Sequence, residues 1–306
     1  MYVSSAVDSI TRLPPATDEL LASSGSEHHL ERLTQVCVDD LISAFGLGGV
    51  IHGRSVMESI SRIPARRLAR QIQTYDEIVG ESGLGTGGAW ALKRLSRNNR
   101  TEGQENVPRG GPLLLVSNHP GLADAVALFA ATPRDDLRVI AADRPLLEAL
   151  PNTSRHLLTV AETSAGRPGV VRAAARHLRG GGAVLTFPGG RIEPDPAVLP
   201  GAVRALDHWS SSADLFARLT PGLAVVPVVV SGVISPSALR NPLINVRRRR
   251  RDREWLAATL QVLIPALSNV NARVQFGRPI YAEPGATIGA AVIEETRLLM
   301  EIRETA

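Results

Sequence analysis

The sequence predicts an α/β fold in which a mixed, largely parallel sheet is flanked by helices and preceded by a helical N-terminal region. From residue 17 to residue 79, apolar side chains recur three and four positions apart, which is typical of amphipathic helices. After Arg94, short apolar runs alternate with helix-like segments, as they do in layered α/β domains. We therefore expect a helical N-terminal region over residues 1–95 and an α/β domain over residues 96–306.

The composition is that of a folded globular protein. Of the 306 residues, 44% are hydrophobic and 21% are charged, which excludes a disordered chain and a collagen-like fibre. Cys37 is the only cysteine, so an internal disulfide and a multi-cysteine zinc cluster are excluded, and we expect no metal site. No secretory signal is evident, and the longest apolar segment is shorter than the about 20 residues that span a bilayer. These features favour a cytoplasmic protein.

Proline and glycine divide the predicted N-terminal helices. Pro64 is expected to break the helical pattern between residues 56 and 72. The glycines within residues 80–88 predict a connection to the next domain. Three of them match the spacing G-x-G-x-x-G of dinucleotide-binding proteins, but the preceding residues are polar and helix-like, so a turn is the better interpretation.

Apolar runs in the second domain predict strands, and the segments between them predict helices. The predicted strands cover residues 112–117, 137–142, 183–187, 223–230 and 273–276. The predicted helices cover residues 123–131, 145–150, 169–179, 255–267 and 294–304. This alternation indicates a largely parallel or mixed sheet with helices on its faces.

A polar turn follows the first apolar strand of this domain. It contains His119 and, five residues later, Asp124, and open α/β sheets bind their ligands at the carboxyl ends of strands. Pro120 suits the first position of a helix and Gly121 permits a close approach, so His119 can lie outside the helix and receive the Asp124 carboxylate on a ring nitrogen. Such a pair can act as a general base. A histidine that only caps the helix is the alternative interpretation.

A second polar loop follows the strand predicted at residues 183–187. Gly189 and Gly190 precede Arg191 in this loop. Backbone N–H groups next to a guanidinium predict an anion site. A proline-rich surface loop, in which Arg191 and Glu193 are merely solvated, is the alternative.

The loop that contains His119, the loop that contains Arg191 and two later segments resemble the glycerophospholipid acyltransferase family. This family includes the lysophosphatidate acyltransferases. In that family the opening block carries the histidine and the aspartate, and later blocks read F-P-E-G-T-R, V-P-V and G-x-P-I. The likeness spans roughly residues 100–281 through four ordered blocks, which are residues 105–124, 187–191 (FPGGR), 226–228 (VPV) and 276–280 (FGRPI).

The resemblance implies a transferase of lipid metabolism and phospholipid biosynthesis. Such an acyltransferase moves a fatty acyl group from an acyl thioester, either acyl-CoA or an acyl-carrier protein, to a hydroxyl of a glycerolipid or related lipid acceptor. His119 is expected to act as general base, oriented by Asp124, and no resident cofactor is implied. The residues expected to bind substrate are Asn118, Arg144, Arg167, Gly189, Gly190, Arg191 and Glu193.

The chain departs from the family pattern at two places. The glutamate of the F-P-E-G block is Gly189 here. In the family's second block an apolar strand ends in an arginine, but Glu162 and Thr163 stand there in this chain. Arg144 or Arg167 is therefore expected to take the place of that arginine.

Two carboxylates in the second loop bear on the acceptor. The negative charges of Glu193 and Asp195 predict an electrostatic field of mixed sign around Arg191. A carboxylate weakens phosphate binding unless an arginine or a proton neutralises its charge. This pattern favours an acceptor with an amine or several hydroxyls over a phosphate monoester. Exposure of both carboxylates to solvent, or their pairing with Arg191, is the alternative.

A run of basic residues predicts a surface for anionic membranes. The net charge is +4, and the run consists of Arg247, Arg248, Arg249, Arg250 and Arg251. We expect it to bind lipid headgroups and to hold the protein peripherally on the membrane. A solvated loop is the alternative, and nucleic acid is a competing partner that we do not expect.

Two rival functions differ in class from the acyltransferase. The absence of the family glutamate at Gly189 allows an inactive membrane-binding protein that retains the acyltransferase fold. A serine esterase is the nearest rival enzyme, but no G-x-S-x-G motif is present. The presence of both His119 and Asp124 favours the acyltransferase.

Overall fold

The fold is three-layered, with helices on both faces of one mixed sheet, as predicted from the sequence. It is seen in a computed structural model that describes residues 16–50, 52–121, 123–160, 167–268, 270–282 and 287–301, with the backbone alone for residues 16–25. The strands are β1 (Asn98–Glu102), β2 (Leu113–Ser117), β3 (Leu137–Ala142), β4 (Leu157–Val160), β5 (Ala183–Thr186), β6 (Ala224–Ser231), β7 (Asn271–Phe276) and β8 (Ile280–Tyr281). The helices are α1 (Ala16–Ala44), α2 (Arg54–Leu95), α3 (Asp124–Ala131), α4 (Pro145–Glu148), α5 (Pro151–Ser154), α6 (Arg167–Arg179), α7 (Ala202–Ala205), α8 (Ser212–Leu219), α9 (Pro236–Leu239), α10 (Arg250–Leu263) and α11 (Gly289–Glu301).

The sheet brings three strand ends to one edge. Its order is β1-β7-β6-β2-β5-β3-β4, and β8 also pairs with β6. The strands β6, β2, β5, β3 and β4 run parallel, whereas β7 is antiparallel to β6. Because β2 lies between β5 and β6, the loops that follow these three strands are neighbours at the carboxyl edge of the sheet.

The central strand β2 is buried on both of its faces. Leu113 and Leu115 point into a core formed with α1, α2 and α3, and Leu114 and Val116 point into a second core formed with α6, α8 and α11. All four side chains are almost completely inaccessible to solvent. This two-sided burial explains the uninterrupted apolar run, since a strand covered by helices on both faces shows no polar alternation.

The predicted break at Pro64 is wrong, because α2 continues through the proline. Proline removes one backbone hydrogen bond from a helix interior and typically costs about 3 kcal/mol. Ala65 and Ala69, directly after the proline, are completely buried in the core shared with α1 and α3. We attribute the continuous helix to this packing, which offsets the local cost.

The glycines of residues 80–88 belong to α2 rather than to a connection between domains. Only Gly83 leaves the helical conformation, with φ 82° and ψ 171°, and it marks a kink. Gly88 allows a close helix contact instead, because a Cβ atom there would lie 2.7 Å from the Val126 carbonyl oxygen of α3. The dinucleotide-binding interpretation therefore fails, since these glycines do not follow a strand.

The remaining differences lie at element ends and in polar elements. Strand β1, whose five residues are all polar, and the short helices α5, α7, α8 and α9 were not predicted. Helix α10 begins at Arg250, five residues before the predicted start. Residues 302–304, the predicted end of the last helix, lie outside the described residues. The division into domains at residues 95 and 96 stays a prediction, although α2 ends at Leu95 and β1 begins at Asn98.

Two further observations concern the helices. Among those that the structure describes, none combines the length and the apolar character that crossing a bilayer requires. Cys37 lies within α1 and is buried in the core. Burial, together with the negative charge of Asp40, raises the pKa of this thiol to about 12.

Candidate active site

The loop between β2 and α3 holds His119 and Asp124 in contact. Asp124 is the first residue of α3 and is completely buried, while His119 lies outside the helix. The Nδ1 atom of His119 lies 2.6 Å from Oδ2 of Asp124. The backbone N–H groups of Gly121 and Ala125 donate to the same carboxylate, over 3.1 and 2.6 Å. The carboxylate is therefore fixed by its own backbone and fixes the imidazole in turn.

The His119 ring is also positioned from the neighbouring strand. Phe187, directly after β5, stacks on it with 4.6 Å between ring centroids and 30° between ring planes. The His119 side chain is 30% exposed, and its Nε2 atom has no hydrogen-bond partner in the described part of the chain. One ring nitrogen is thus held by Asp124, and the other is available to a substrate.

The electrostatics of the loop favour the protonated form of His119. Burial of the ring lowers its pKa, but the charge of Asp124, its hydrogen bond to the ring and the charge of Glu193 act in the opposite direction. The net effect raises the pKa of His119 above its ordinary value of 6.5. A carboxylate next to histidine stabilises the imidazolium, which is what a proton acceptor requires after it takes the proton.

Glu193 ties the second loop to His119. The His119 N–H donates to Oε2 of Glu193 over 3.0 Å, and the Glu193 N–H donates to the His119 carbonyl oxygen over 2.8 Å. The Trp209 indole N–H donates to Oε1 of Glu193 over 2.7 Å. Burial raises the pKa of Glu193 despite these donors. Both carboxylate oxygens are used inside the protein, so Glu193 positions the His119 backbone rather than facing the acceptor.

Gly189 leaves room for this carboxylate. A Cβ atom at Gly189 would lie 2.6 Å from Oε1 of Glu193, closer than any side chain allows. The family pattern has its glutamate at Gly189, and here a carboxylate from four residues later occupies the adjacent space. The chain thus retains a buried carboxylate at this point of the loop, although its sequence position differs.

Asp195 holds the loop that follows β6. Its Oδ1 accepts hydrogen bonds from Ala197 and Gly232, at 2.9 and 2.8 Å. Its Oδ2 accepts from Val233 and Ile234, at 2.8 and 3.0 Å. Asp195 is completely buried. Backbone or indole donors thus engage both carboxylates inside the fold, and the expectation of a field of mixed sign around the acceptor stays a prediction.

Two further residues expected to bind substrate are engaged within the protein. The Asn118 side chain is buried and exchanges two hydrogen bonds with the backbone of Val230 in β6, at 2.8 and 2.9 Å. These bonds fasten the end of β2 to β6. Gly190, with φ 61°, donates its N–H to the Phe187 carbonyl oxygen over 3.0 Å and so closes the turn after β5.

The three arginines that were expected to bind substrate lie on different elements around the sheet. Arg191 is exposed and forms no hydrogen bond or ion pair in the described part of the chain. Arg144 precedes α4 and lines a cavity next to the turn between β2 and α3, which is called the catalytic turn below after the role predicted for His119. Arg167 is exposed at the start of α6, which follows the outermost strand β4, and does not line that cavity. Glu162 and Thr163 lie outside the described residues.

The cavity lies beside the turn between β2 and α3, where Pro120 and Gly121 line it. Its volume is about 250 Å³, and its walls come from the catalytic turn, the second loop, the loop after β6 and α10. Ile234, one of its walls, packs on Gly121 of the turn, where a Cβ atom would lie 3.5 Å from the isoleucine side chain. The residues that line it are Pro120, Gly121, Arg144, Ile192, Ile234, Arg251, Asp252, Glu254, Trp255 and Ala258.

The sequence analysis missed part of this arrangement. No sequence pattern points to Trp209 as a residue of the site, because it lies 16 residues after its partner Glu193 in a segment without a recognisable motif. Arg251 was assigned to a lipid surface, whereas the structure places it on the cavity wall. Only the packing of α10 beside the catalytic turn reveals that position.

The family model described as Acyltransferase matches residues 98–231, which contain both loops and the three central strands. Over these residues the chain is similar to the acyltransferase family. A solved structure similar to this chain is the 1-acyl-sn-glycerophosphate (LPA) acyltransferase PlsC from Thermotoga maritima, at 15% identity and a TM-score of 0.45, with 91% of this chain and 95% of that chain covered. No curated protein matches this chain significantly.

Proposed function

We propose that this acyltransferase moves a fatty acyl group from an acyl thioester to a hydroxyl of a glycerolipid acceptor, with His119 as general base. The observation that carries the proposal is the His119 ring itself. Asp124 holds Nδ1 at 2.6 Å, and the partly exposed Nε2 has no partner in the described part of the chain. The resemblance of four sequence blocks to glycerophospholipid acyltransferases supports the substrate class.

In the proposed reaction, Nε2 of His119 takes the proton of the acceptor hydroxyl as the oxygen attacks the thioester carbonyl carbon. The C=O electron pair moves onto oxygen and gives a tetrahedral oxyanion. When the carbonyl re-forms, the C–S bond breaks, and the thiolate receives the proton from the imidazolium. Asp124 stays ionised throughout and stabilises the charged ring. No acyl-enzyme intermediate is needed.

The turn after β5 offers donors for the oxyanion. The Gly190 N–H is used by Phe187, so it is not one of them. The N–H groups of Gly189 and Arg191, on either side of it, have no acceptor among the described residues. Preorganised backbone donors of this kind stabilise a developing negative charge.

An inactive protein that retains the fold is the less favoured alternative. Its motivation was the absence of the family glutamate at Gly189. The buried carboxylate of Glu193 next to Gly189 weakens that motivation, because the loop is still fastened to the His119 backbone at 2.8 and 3.0 Å. An inactive descendant has no need to retain an oriented, partly exposed imidazole.

The proposal is tested by the pH dependence of acyl transfer. Purified protein is offered an acyl-CoA and a lysoglycerolipid, and released thiol and acylated product are measured together. Only the neutral imidazole accepts a proton, and the pKa of His119 is raised. We therefore expect kcat/KM to increase with pH and to reach half of its plateau above pH 6.5.

Two results separate this mechanism from others. In the Asp124→Asn variant the midpoint should move to lower pH, because the charge that raises the histidine pKa is gone. Thiol release without an acylated product would indicate a thioesterase instead. No turnover with any donor, or a profile unaffected by pH between 5 and 8, would reject the proposed function.

We further propose that the arginine run contributes to membrane attachment through some of its members only. Arg247 pairs with Asp252 at 3.0 Å, and Arg250 pairs with Glu254 at 2.8 Å. We therefore no longer expect all five arginines to bind lipid headgroups. Arg248 and Arg249 are exposed without an ion pair in the described part of the chain, and they are the members we assign to the membrane.

An apolar stripe accompanies these charges. Val56, Ile60 and Ile63 follow one another at helical spacing on α2 and are 61%, 72% and 82% exposed. Arg247 packs over Gly46 in the turn that precedes α2. Exposed apolar side chains and exposed, unpaired arginines in one protein suit a surface that combines an acyl layer with anionic headgroups.

Sedimentation with anionic liposomes tests this assignment. Each exposed arginine near such a surface contributes about 1 kcal/mol, so the double variant Arg248→Gln/Arg249→Gln should bind roughly 30-fold more weakly at low salt. High salt should reduce the difference. The matched control is Arg172→Gln/Arg176→Gln, which removes two exposed charges from α6 on the other face of the sheet. Equal losses in both variants would contradict the assignment.

A further inference from the structure

Trp209 contacts the candidate active site although it lies in none of the four sequence blocks. It stands between α7 and α8, and its indole N–H donates to Oε1 of Glu193 over 2.7 Å. The next residue, Ser210, donates its backbone N–H to the Pro188 carbonyl oxygen over 3.1 Å. Residues 209 and 210 therefore hold the loop after β5 at two points.

The indole itself is fixed by apolar packing. Trp209 is half-buried and contacts two apolar clusters. One is the core formed with α6, α8 and α11, and the other contains Leu206, Val229 and Met300. An indole packed in this way still needs an acceptor for its N–H, and the Glu193 carboxylate supplies it. The position of the donor is therefore set by the core rather than by the loop.

Glu193 transmits this restraint to His119. Its Oε2 accepts the His119 N–H over 3.0 Å, and its own N–H donates to the His119 carbonyl oxygen over 2.8 Å. The peptide groups on both sides of His119 are thus held by one residue. Phe187, in the same loop, stacks on the His119 ring. The loop after β5 therefore restrains both the backbone and the ring of His119.

Gly189 leaves the space that the Glu193 carboxylate occupies. A Cβ atom at Gly189 would lie 2.6 Å from Oε1 and 2.8 Å from Cδ of Glu193. Gly189 does not have a positive φ, so its backbone conformation does not require glycine. The contact with the carboxylate is therefore what excludes a side chain at this position.

From these contacts we infer that Trp209 is a positioning residue for acyl transfer, which acts through Glu193 to direct Nε2 of His119 at the acceptor hydroxyl. The inference rests on the proposed function and adds a residue to its site. A displacement of about 1 Å can reduce a catalysed rate about 100-fold.

The Glu193 carboxylate also acts on His119 through its charge. Two negative groups face the histidine, Asp124 and Glu193, and both raise its pKa. The charged groups that face Glu193 are His119 and Arg191. Loss of the Glu193 charge therefore has an electrostatic effect that loss of the Trp209 hydrogen bond does not share.

The Trp209→Phe variant tests the positioning role, because it keeps a ring in the core and removes the N–H donor. We expect kcat for transfer from an acyl-CoA to a lysoglycerolipid to fall about tenfold, as for loss of a hydrogen bond to a charged group. KM for both substrates should stay unchanged. The matched control is Trp90→Phe in α2, which should match the wild type. Trp90 is also half-buried, and its indole N–H forms no hydrogen bond with the described residues.

The Glu193→Gln variant adds a readout that a merely structural role would not move. The amide has one oxygen acceptor for the two N–H donors and carries no charge. We expect kcat to fall at least as far as in Trp209→Phe. The midpoint of the pH profile of kcat/KM should move to lower pH, because loss of the negative charge lowers the pKa of His119. In Trp209→Phe, which retains the carboxylate, the midpoint should move less.

A double-mutant cycle tests whether Gly189 acts through the same carboxylate. Gly189→Ala should reduce kcat about as much as Trp209→Phe, because the added methyl group displaces the Glu193 side chain. In the Glu193→Ala background that side chain is absent, so Gly189→Ala should cause no further loss. Additive losses in this cycle would overturn the inference.

The remaining outcomes separate this inference from the proposed function. If the wild type transfers acyl groups and Trp209→Phe retains the full kcat, the inference is overturned while the proposed function stands. A higher KM for the acceptor at unchanged kcat also overturns it, since Glu193 then binds substrate. Lower melting temperatures with unaltered kcat and pH midpoint would assign both residues to stability alone. If the wild type transfers no acyl group from any thioester, the proposed function itself fails.

Discussion

Replacing His119 by alanine should reduce kcat about 1,000-fold and leave the fold intact. General base catalysis contributes about 100- to 10,000-fold, and the proposed reaction assigns this role to His119. The side chain is partly exposed in a polar loop, so its loss opens no large cavity in the core. Initial rates of acyl transfer, together with the melting temperature, measure the two effects separately.

A matched control is available on the surface. His52 is exposed in the turn before α2, and His52→Ala should retain the full rate. Asp124→Asn should cost nearly as much activity as the loss of His119, because the ring then lacks its orienting charge. Normal turnover by purified His119→Ala protein would refute the mechanism.

Replacing Asp195 by asparagine should lower the free energy of unfolding by about 2–4 kcal/mol. One carboxylate oxygen becomes an NH₂ group, which leaves two of the four backbone N–H donors facing another donor. Each buried donor without an acceptor costs about 1–3 kcal/mol. Because Ile234 lies against Gly121 of the catalytic turn, we also expect reduced activity in the folded variant.

Urea denaturation compared with Asp135→Asn measures this effect. Asp135 is exposed, so the same substitution there should change stability by less than about 0.5 kcal/mol. If the Asp195→Asn variant loses no more stability than this control, the carboxylate does not hold the loop after β6.

The contact between His119 and Asp124 could be predicted from the sequence because the two residues are close in the chain. His119 and Asp124 are five residues apart, and the strand before them is buried on both faces, so the periodicity and the turn residues sufficed. The largely parallel sheet followed from the same reasoning, because apolar runs mark strands that helices cover on both sides.

The residues that were misjudged from the sequence contact partners that are distant in the chain. The sheet brings these partners together. Glu193 meets His119 across 74 residues, and Asp195 meets residues 232–234 across 37 to 39 residues. A carboxylate in a proline-rich loop looks the same in a sequence whether it faces solvent or accepts several N–H groups. Pro64 and Gly88 were misjudged for a related reason, since packing against other helices decides their conformation and their local preferences do not.

The buried thiol in α1 has a practical consequence for spectroscopy and labelling. The thiolate is the reactive form of cysteine, and with a pKa of about 12 Cys37 carries almost none at neutral pH. A chromogenic disulfide reagent added to the folded protein should therefore report thiol released from an acyl-CoA in the proposed reaction without a background from Cys37. A single cysteine introduced at an exposed position such as Ile60 or Arg248 can likewise carry a fluorophore whose emission reports contact with lipid, and Cys37 need not be replaced first.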